Sequence, residues 1–117
     1  MACFARHLVP GGVLALEPWW FAETYLDGYV SGDVITVEDR TVARVSHTRR
    51  DGAGSRMEVH YVVAGADSGI QHFTETYGHR LFTRAEYTRA LENGGFTIEY
   101  VAGVLGNRGL FLGVRQD

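Results

Sequence analysis

Apolar and polar positions alternate with different periods along this chain, and each change of period marks a predicted element. Met1 to Leu8 carries helix-compatible residues, with no capping residue ahead of them. Pro10 cannot continue a helix, and Gly11 and Gly12 accept the backbone angles of a turn, so the helical pattern ends there. Val13 to Leu16 is an unbroken apolar run closed by Glu17 and Pro18. Such a run suits a parallel strand covered on both faces. Phe21 to Leu26 predicts a short helix or turn packed by Phe21, Tyr25 and Leu26, broken by Asp27 and Gly28. Tyr29 to Val37 mixes Gly32 and Asp33 with β-branched residues and predicts an irregular loop leading into a short strand. Three longer β stretches follow, at about Thr41 to Arg50, Arg56 to Ala64 and Ile70 to Phe82. The first two are joined by the Gly-containing hairpin loop Asp51 to Ser55. Met57, Val59, Tyr61 and Val63 alternate with Arg56, Glu58 and His60, which sets one face against apolar material and the other toward polar surroundings.

Thr83 to Asn93 carries the clearest helical signal. Thr83 and Glu86 have the spacing of a capping box, and Phe82 with Tyr87 that of a hydrophobic staple. Tyr87, Ala90 and Leu91 give the inward stripe, and Gly94 with Gly95 the left-handed stop. Phe96 to Val101 and Leu110 to Arg115 read as strands around a loop, Gly103 to Gly109, with three glycines. The fold class expected is α/β, in this stretch an α+β arrangement with an antiparallel meander set between elements of a parallel sheet. One domain, 1–117, is expected, and the uncapped start at Met1 predicts the tail of a longer protein.

Composition narrows the function classes. With 117 residues, 45% of them apolar and 21% charged, the chain can bury one modest core. A formal charge of −3, with arginines scattered among acids, gives no support for nucleic-acid binding. The single cysteine, Cys3, allows no internal disulfide and suits a reducing cytoplasm, where we expect the protein to act. No apolar run approaches the roughly 20 residues that span a bilayer, so no membrane partner is expected.

The candidate chemistry gathers at strand ends. In an open parallel sheet the ligand crevice lies beyond the carboxyl ends of the strands, where Glu17, Trp19 and Trp20 would project. Glu17 can accept a hydrogen bond from a hydroxyl or an ammonium, or can be a strand-end charge held by a backbone amide. Three consecutive aromatics, Trp19, Trp20 and Phe21, cannot all face the core, so one tryptophan lines the site and the other packs. Arg49, Arg50 and Arg108 are candidates for phosphate oxygens, which guanidinium forks grip in two-toothed geometry. The glycines around Arg108 favour close approach to a ligand. His47, His60, His72 and His79 lie on the meander without metal-ligand spacing, so no metal is expected; these histidines hydrogen-bond within the sheet or touch a ligand.

The stretches L-x-P-G-G before an apolar strand, EPWWF, DGYVSGDV, RVSH, MEVHYVVA, HFTE, LFTRAEY and RGLFLGVR together resemble class I S-adenosylmethionine-dependent methyltransferases. They are most similar to the N,N-dimethyltransferases of dTDP-linked 3-amino-deoxysugars in macrolide pathways, such as those leading to desosamine and mycaminose. The resemblance covers essentially the whole chain but only about the second half of such an enzyme. It implies the C-terminal part of a Rossmann-like sheet, 1–20 and 83–117, with 29–82 as a β-rich acceptor-binding insertion. Strands at Val13, Leu110 and Phe96 should then lie side by side in that order. It also implies that Arg108, and either Arg49 or Arg50, contacts the diphosphate of a dTDP-amino sugar. Residue type and position add Trp19, Trp20 and His47 as candidates beside the substrate. Read from its place at the strand end, Glu17 is the candidate catalytic carboxylate, guiding the ammonium and helping to accept its proton, with a base in the missing half as the alternative.

S-adenosylmethionine is expected in the full-length parent and no cofactor in this chain. The family's Gly-rich turn after the first strand is not here, and GVLGNRG follows a late strand instead of opening a helix. The function expected is the acceptor-binding half of an N-methyltransferase, inactive alone; the alternative is a stand-alone α+β module for binding or dimerisation. A homodimer or higher oligomer is expected through the open edge of the Val13 strand, with Val13, Leu14 and Leu16 in the interface.

Overall fold

A computed structural model describes residues Met1–Asp117, with elements α1 (Ala2–His7), β1 (Val13–Leu16), β2 (Tyr29–Val37), β3 (Arg40–Asp51), β4 (Gly54–Gly65), β5 (Gly69–Arg80), α2 (Arg84–Glu92), β6 (Phe96–Val101) and β7 (Leu110–Arg115). The chain divides into two units, Met1–Tyr25 with Leu81–Asp117, and Leu26–Arg80.

The first unit holds a three-stranded sheet in the order β1-β7-β6, the order the resemblance implied. Both β1 and β6 run antiparallel to β7 and are therefore parallel to each other. Gly11 sits at φ 76°, and the turn it makes lets Gly11 N–H donate to Arg115 O (3.0 Å) while Arg115 N–H donates to Gly12 O (2.9 Å). The β1–β7 ladder is thus carried past the strand's formal end. Phe21, Leu91, Phe96 and Phe111 form the core, with Leu14, Leu16, Ile98 and Tyr100 against it from the same sheet face. Leu91 and Phe111 are all but fully buried.

One expectation fails here. β1 is not covered on both faces: Leu14 and Leu16 pack on the core, while Val13 is 61% exposed and Ala15 is also exposed. Leu16 stands opposite Phe111 in the register, and Val13 opposite Val114, itself 42% exposed. The core-forming side chains of this unit all lie on one face, so the apolar run is half exposed despite its composition.

Helix α2 starts as its sequence predicts. Thr83 Oγ1 accepts from Glu86 N–H (3.1 Å), and the Glu86 carboxylate accepts from Thr83 N–H (2.7 Å). The Phe82 and Tyr87 rings meet edge to face at 5.8 Å. Gly95, at φ 89°, ends it. Of the expected stripe, Leu91 is buried and Tyr87 half-buried, but Ala90 is exposed. Phe21 to Leu26 forms a turn; Phe21 and Tyr25 are buried, whereas Leu26 is 65% exposed.

The second unit is a four-stranded antiparallel meander, β2-β3-β4-β5. The sequence predicted a loop over most of Tyr29 to Val37. Instead β2 pairs with β3 residue for residue, from Tyr29 opposite Thr48 to Val37 opposite Arg40. Six β-branched or aromatic residues outweigh Gly32 and Asp33 once a long partner strand is present, an instance of strand propensity depending on context. The two-residue turn Glu38–Asp39 was hidden because Glu38 takes φ 55° without glycine. The alternation in β4 holds, with Val59 fully buried and Arg56 and Glu58 exposed. The arrangement is mixed α/β with antiparallel sheets, as the fold class anticipated.

Candidate functional site

Glu17 leaves the end of β1 beside the buried Pro18, and Trp19 and Trp20 follow half-buried. Directly across, the β6–β7 loop carries Arg108. Leu105, Gly106 and Asn107 adopt φ 53°, 68° and 67°, a left-handed turn that ordinary side chains disfavour and that recurs at functional loops. Gly109 follows at φ 76°, and its N–H donates to Val104 O (3.1 Å). The loop is pinned from beneath, where the Tyr100 hydroxyl donates to Arg108 O (3.1 Å). Tyr100 packs on Phe111 (4.9 Å between centroids) and carries the Arg84 guanidinium 4.0 Å above its ring. Sequence reasoning missed Tyr100, which reads as one more aromatic on an alternating strand.

Arg108 is held on three sides. Its Nη2 forms an ion pair with Glu17 Oε1, its Nε donates to Leu105 O (3.4 Å), and its guanidinium lies 5.8 Å from the Trp19 ring centroid. Its side chain is 29% exposed and that of Glu17 43%. The structure therefore joins three residues that the sequence singled out separately, Glu17, Trp19 and Arg108. Burial pushes the Tyr87 phenol up, opposed by its hydrogen bond to the backbone of Trp19.

His47, Arg49 and Arg50 belong to β3 in the second unit. His47 and Arg49 are exposed on one face, and Arg50 falls on the other, its N–H donating to Asp27 Oδ1 (2.6 Å). Arg49 stands opposite Arg56 and His47 opposite Glu58. On the same face a chain of hydrogen bonds links Glu58 to His60 (2.7 Å) and His60 to His72 (3.0 Å). His60 holds the Glu58 carboxyl below the ordinary carboxylate range, by hydrogen bond first and by charge second. The expectation that the histidines bond within the sheet fits His60 and His72. No group of three or more His, Cys, Asp or Glu side chains is placed to hold a metal.

A groove of about 330 Å³ beside α2, lined by Met1, Phe82, Glu86, Tyr87, Arg89, Ala90 and Asn93, includes none of these residues.

No protein-family model matches the chain. Among characterised proteins, it is 51% identical over 114 residues to the dTDP-3-amino-3,4,6-trideoxy-alpha-D-glucopyranose N,N-dimethyltransferase of Streptomyces venezuelae, covering 97% of this chain and 48% of that enzyme. It is 49% identical over 112 residues to the dTDP-4-amino-2,3,4,6-tetradeoxy-D-glucose N,N-dimethyltransferase of Saccharopolyspora spinosa, covering 96% of this chain and 45% of that one. The chain thus spans about half the length of these relatives. The crystal structure of Streptomyces venezuelae DesVI superposes with a TM-score of 0.93 over 97% of this chain and 48% of that one, at 51% identity. The S-adenosylmethionine-bound amino pentose methyltransferase CalS10, involved in calicheamicin biosynthesis, superposes at 0.87 and 48% identity, covering 98% of this chain and 48% of that one. An S-adenosylmethionine-dependent methyltransferase from Clostridium acetobutylicum, 13% identical with a TM-score of 0.70, shares the fold. Over nearly its whole length, then, this chain aligns with and superposes on one half of S-adenosylmethionine-dependent sugar N-methyltransferases, and its homologues at about half identity are dTDP-amino sugar N,N-dimethyltransferases.

Proposed function

We propose that this chain is the acceptor-binding half of an S-adenosylmethionine-dependent N-methyltransferase acting on a nucleotide-linked amino sugar. The observation that carries the reading is 51% identity across 97% of the chain to an enzyme named for such a substrate. The residues of the strand-end surface suit it. Trp19 and Trp20 offer aromatic faces to a sugar or thymine, and Arg108 offers a guanidinium to a diphosphate. On the meander, His47 with Arg49 on one face of β3, and Arg50 on the other, offer polar groups suited to the same class of ligand. The contribution of such a surface to methyl transfer is positioning: holding the amine in reacting geometry replaces a bimolecular encounter.

The residues present do not fit the cofactor. The glycine-rich loop 103–109 joins two antiparallel strands and opens no helix, and the first turn of α2 is closed by its own capping box. S-adenosylmethionine is accordingly assigned to the rest of the parent enzyme, and the isolated chain is inactive. Cytoplasmic action and self-association complete the proposal; the lone cysteine supports the first and the open edge of β1 the second.

Calorimetry on the purified chain tests it. One dTDP site is expected, with S-adenosylmethionine bound weakly or not at all. A micromolar S-adenosylmethionine site would overturn the division of labour, and failure to bind dTDP would remove the nucleotide-sugar assignment.

A further inference from the structure

Glu17 and Arg108 lie 91 positions apart in sequence, yet the fold makes them partners. The three contacts of Arg108 use particular parts of its guanidinium. Nε is engaged by Leu105 O, one face looks toward Trp19, and Nη2 is engaged by Glu17 Oε1, while Nη1 makes no hydrogen bond. Nε and one N–H of Nη2 are thus tied to the chain itself, and Nη1 with the second N–H of Nη2 remains for a ligand. A guanidinium has five donors in a rigid plane, so fixing some of them aims the rest. From beneath, Tyr100 fixes the backbone carbonyl of the same residue.

From this geometry we infer that Glu17 is a positioning residue for Arg108, aiming its free donors at a phosphate oxygen of the bound nucleotide. The inference rests on the proposed nucleotide-sugar reading for the identity of the ligand, and on the ion pair alone for the role of Glu17. The two possible effects of removing the carboxylate have opposite signs. If Glu17 were only a negative charge near an anion site, its loss would tighten phosphate binding by relieving repulsion. If it aims Arg108, its loss weakens binding, because a mobile guanidinium must be ordered again at each association.

Two measurements on the purified chain decide between these. In ¹H–¹⁵N spectra, the Arg108 Nε–H signal should be sharp with slowed rotation of the Nη groups in the parent chain and in Glu17→Gln, which keeps an acceptor oxygen. It should be averaged in Glu17→Ala. In titrations with dTDP, Arg108→Ala should weaken binding about tenfold to a hundredfold, the loss of a charge-assisted contact. Glu17→Ala should weaken it by about tenfold, Glu17→Gln by much less, and the double variant no more than Arg108→Ala alone. A freely rotating Arg108 in the parent chain overturns the proposal whatever dTDP does. So does equal or tighter dTDP binding by Glu17→Ala. If dTDP binds none of the proteins, the ligand assignment falls, while the spectra still rule on Glu17.

Discussion

A methyl group added at Gly109 would overlap the hydroxyl and ring of Tyr100, and the backbone there sits at φ 76°. Gly106, three residues earlier at φ 68°, meets nothing within 4 Å. The two glycines therefore separate backbone strain from steric clash. Gly106→Ala should cost about 1–2 kcal/mol, the left-handed penalty alone. Gly109→Ala should cost clearly more and displace Tyr100 from Arg108 O, read by denaturant unfolding and by the Tyr100 ring signals. Equal losses at the two positions would show that Tyr100 yields freely and does not pin the loop. Single residues were also where the sequence was most and least informative. Arg108 declared itself through flanking glycines, and Glu17 and Trp19 through their place at the end of an apolar strand. That Glu17 and Arg108 pair could not be read, because no local spacing encodes a contact across 91 positions.

Among the elements, the bounds of α2 were legible, since the signals for them are local: cap, staple and glycine stop lie within a few residues of one another, though Ala90 of the expected stripe is exposed. Thr83→Ala removes the acceptor for Glu86 N–H and should destabilise the chain by about 1 kcal/mol. Urea unfolding checks this, with Thr83→Ser expected to restore most of the loss. The β2 strand was illegible for the converse reason. Gly32 and Asp33 interrupt its β-branched run, its turn uses Glu38 where glycine or asparagine is the usual cue, and only the long β3 beside it completes the ladder. The covering of β1 failed in a similar way. Val13–Leu16 is apolar throughout, but composition does not say how many faces have a partner.

At the scale of the whole molecule, the sheet of the first unit ends at β1, which pairs with β7 on one side only. Its outer edge presents unpaired backbone groups, and Val13 and Val114 leave apolar surface on the open face. Such edges invite pairing with another chain. The purified chain should therefore scatter light as a dimer or larger species, and Val13→Lys should shift it toward monomer. A parent chain that stays monomeric across accessible concentrations would retire the self-association proposal. The strand order β1-β7-β6 itself followed from family resemblance, since periodicity cannot order strands within a sheet.

The path of the chain into and out of the meander is fastened within the first unit. Ala22 N–H donates to Phe82 O (3.0 Å), and Arg84 N–H donates to the Glu23 carboxylate (2.9 Å). The core cluster of the first unit, Phe21, Leu91, Phe96 and Phe111, lies outside Leu26–Arg80, which buries Val59 separately. The meander is then an excursion whose two ends are tied together inside the first unit. Its hairpins can lengthen, shorten or be replaced without reopening the core, so a lineage could alter the β-rich surface while leaving the strand-end chemistry of Glu17 and Arg108 untouched. Replacing Leu26–Arg80 by a short glycine-serine turn should leave slow amide exchange at Phe96, Ile98 and Phe111 in place.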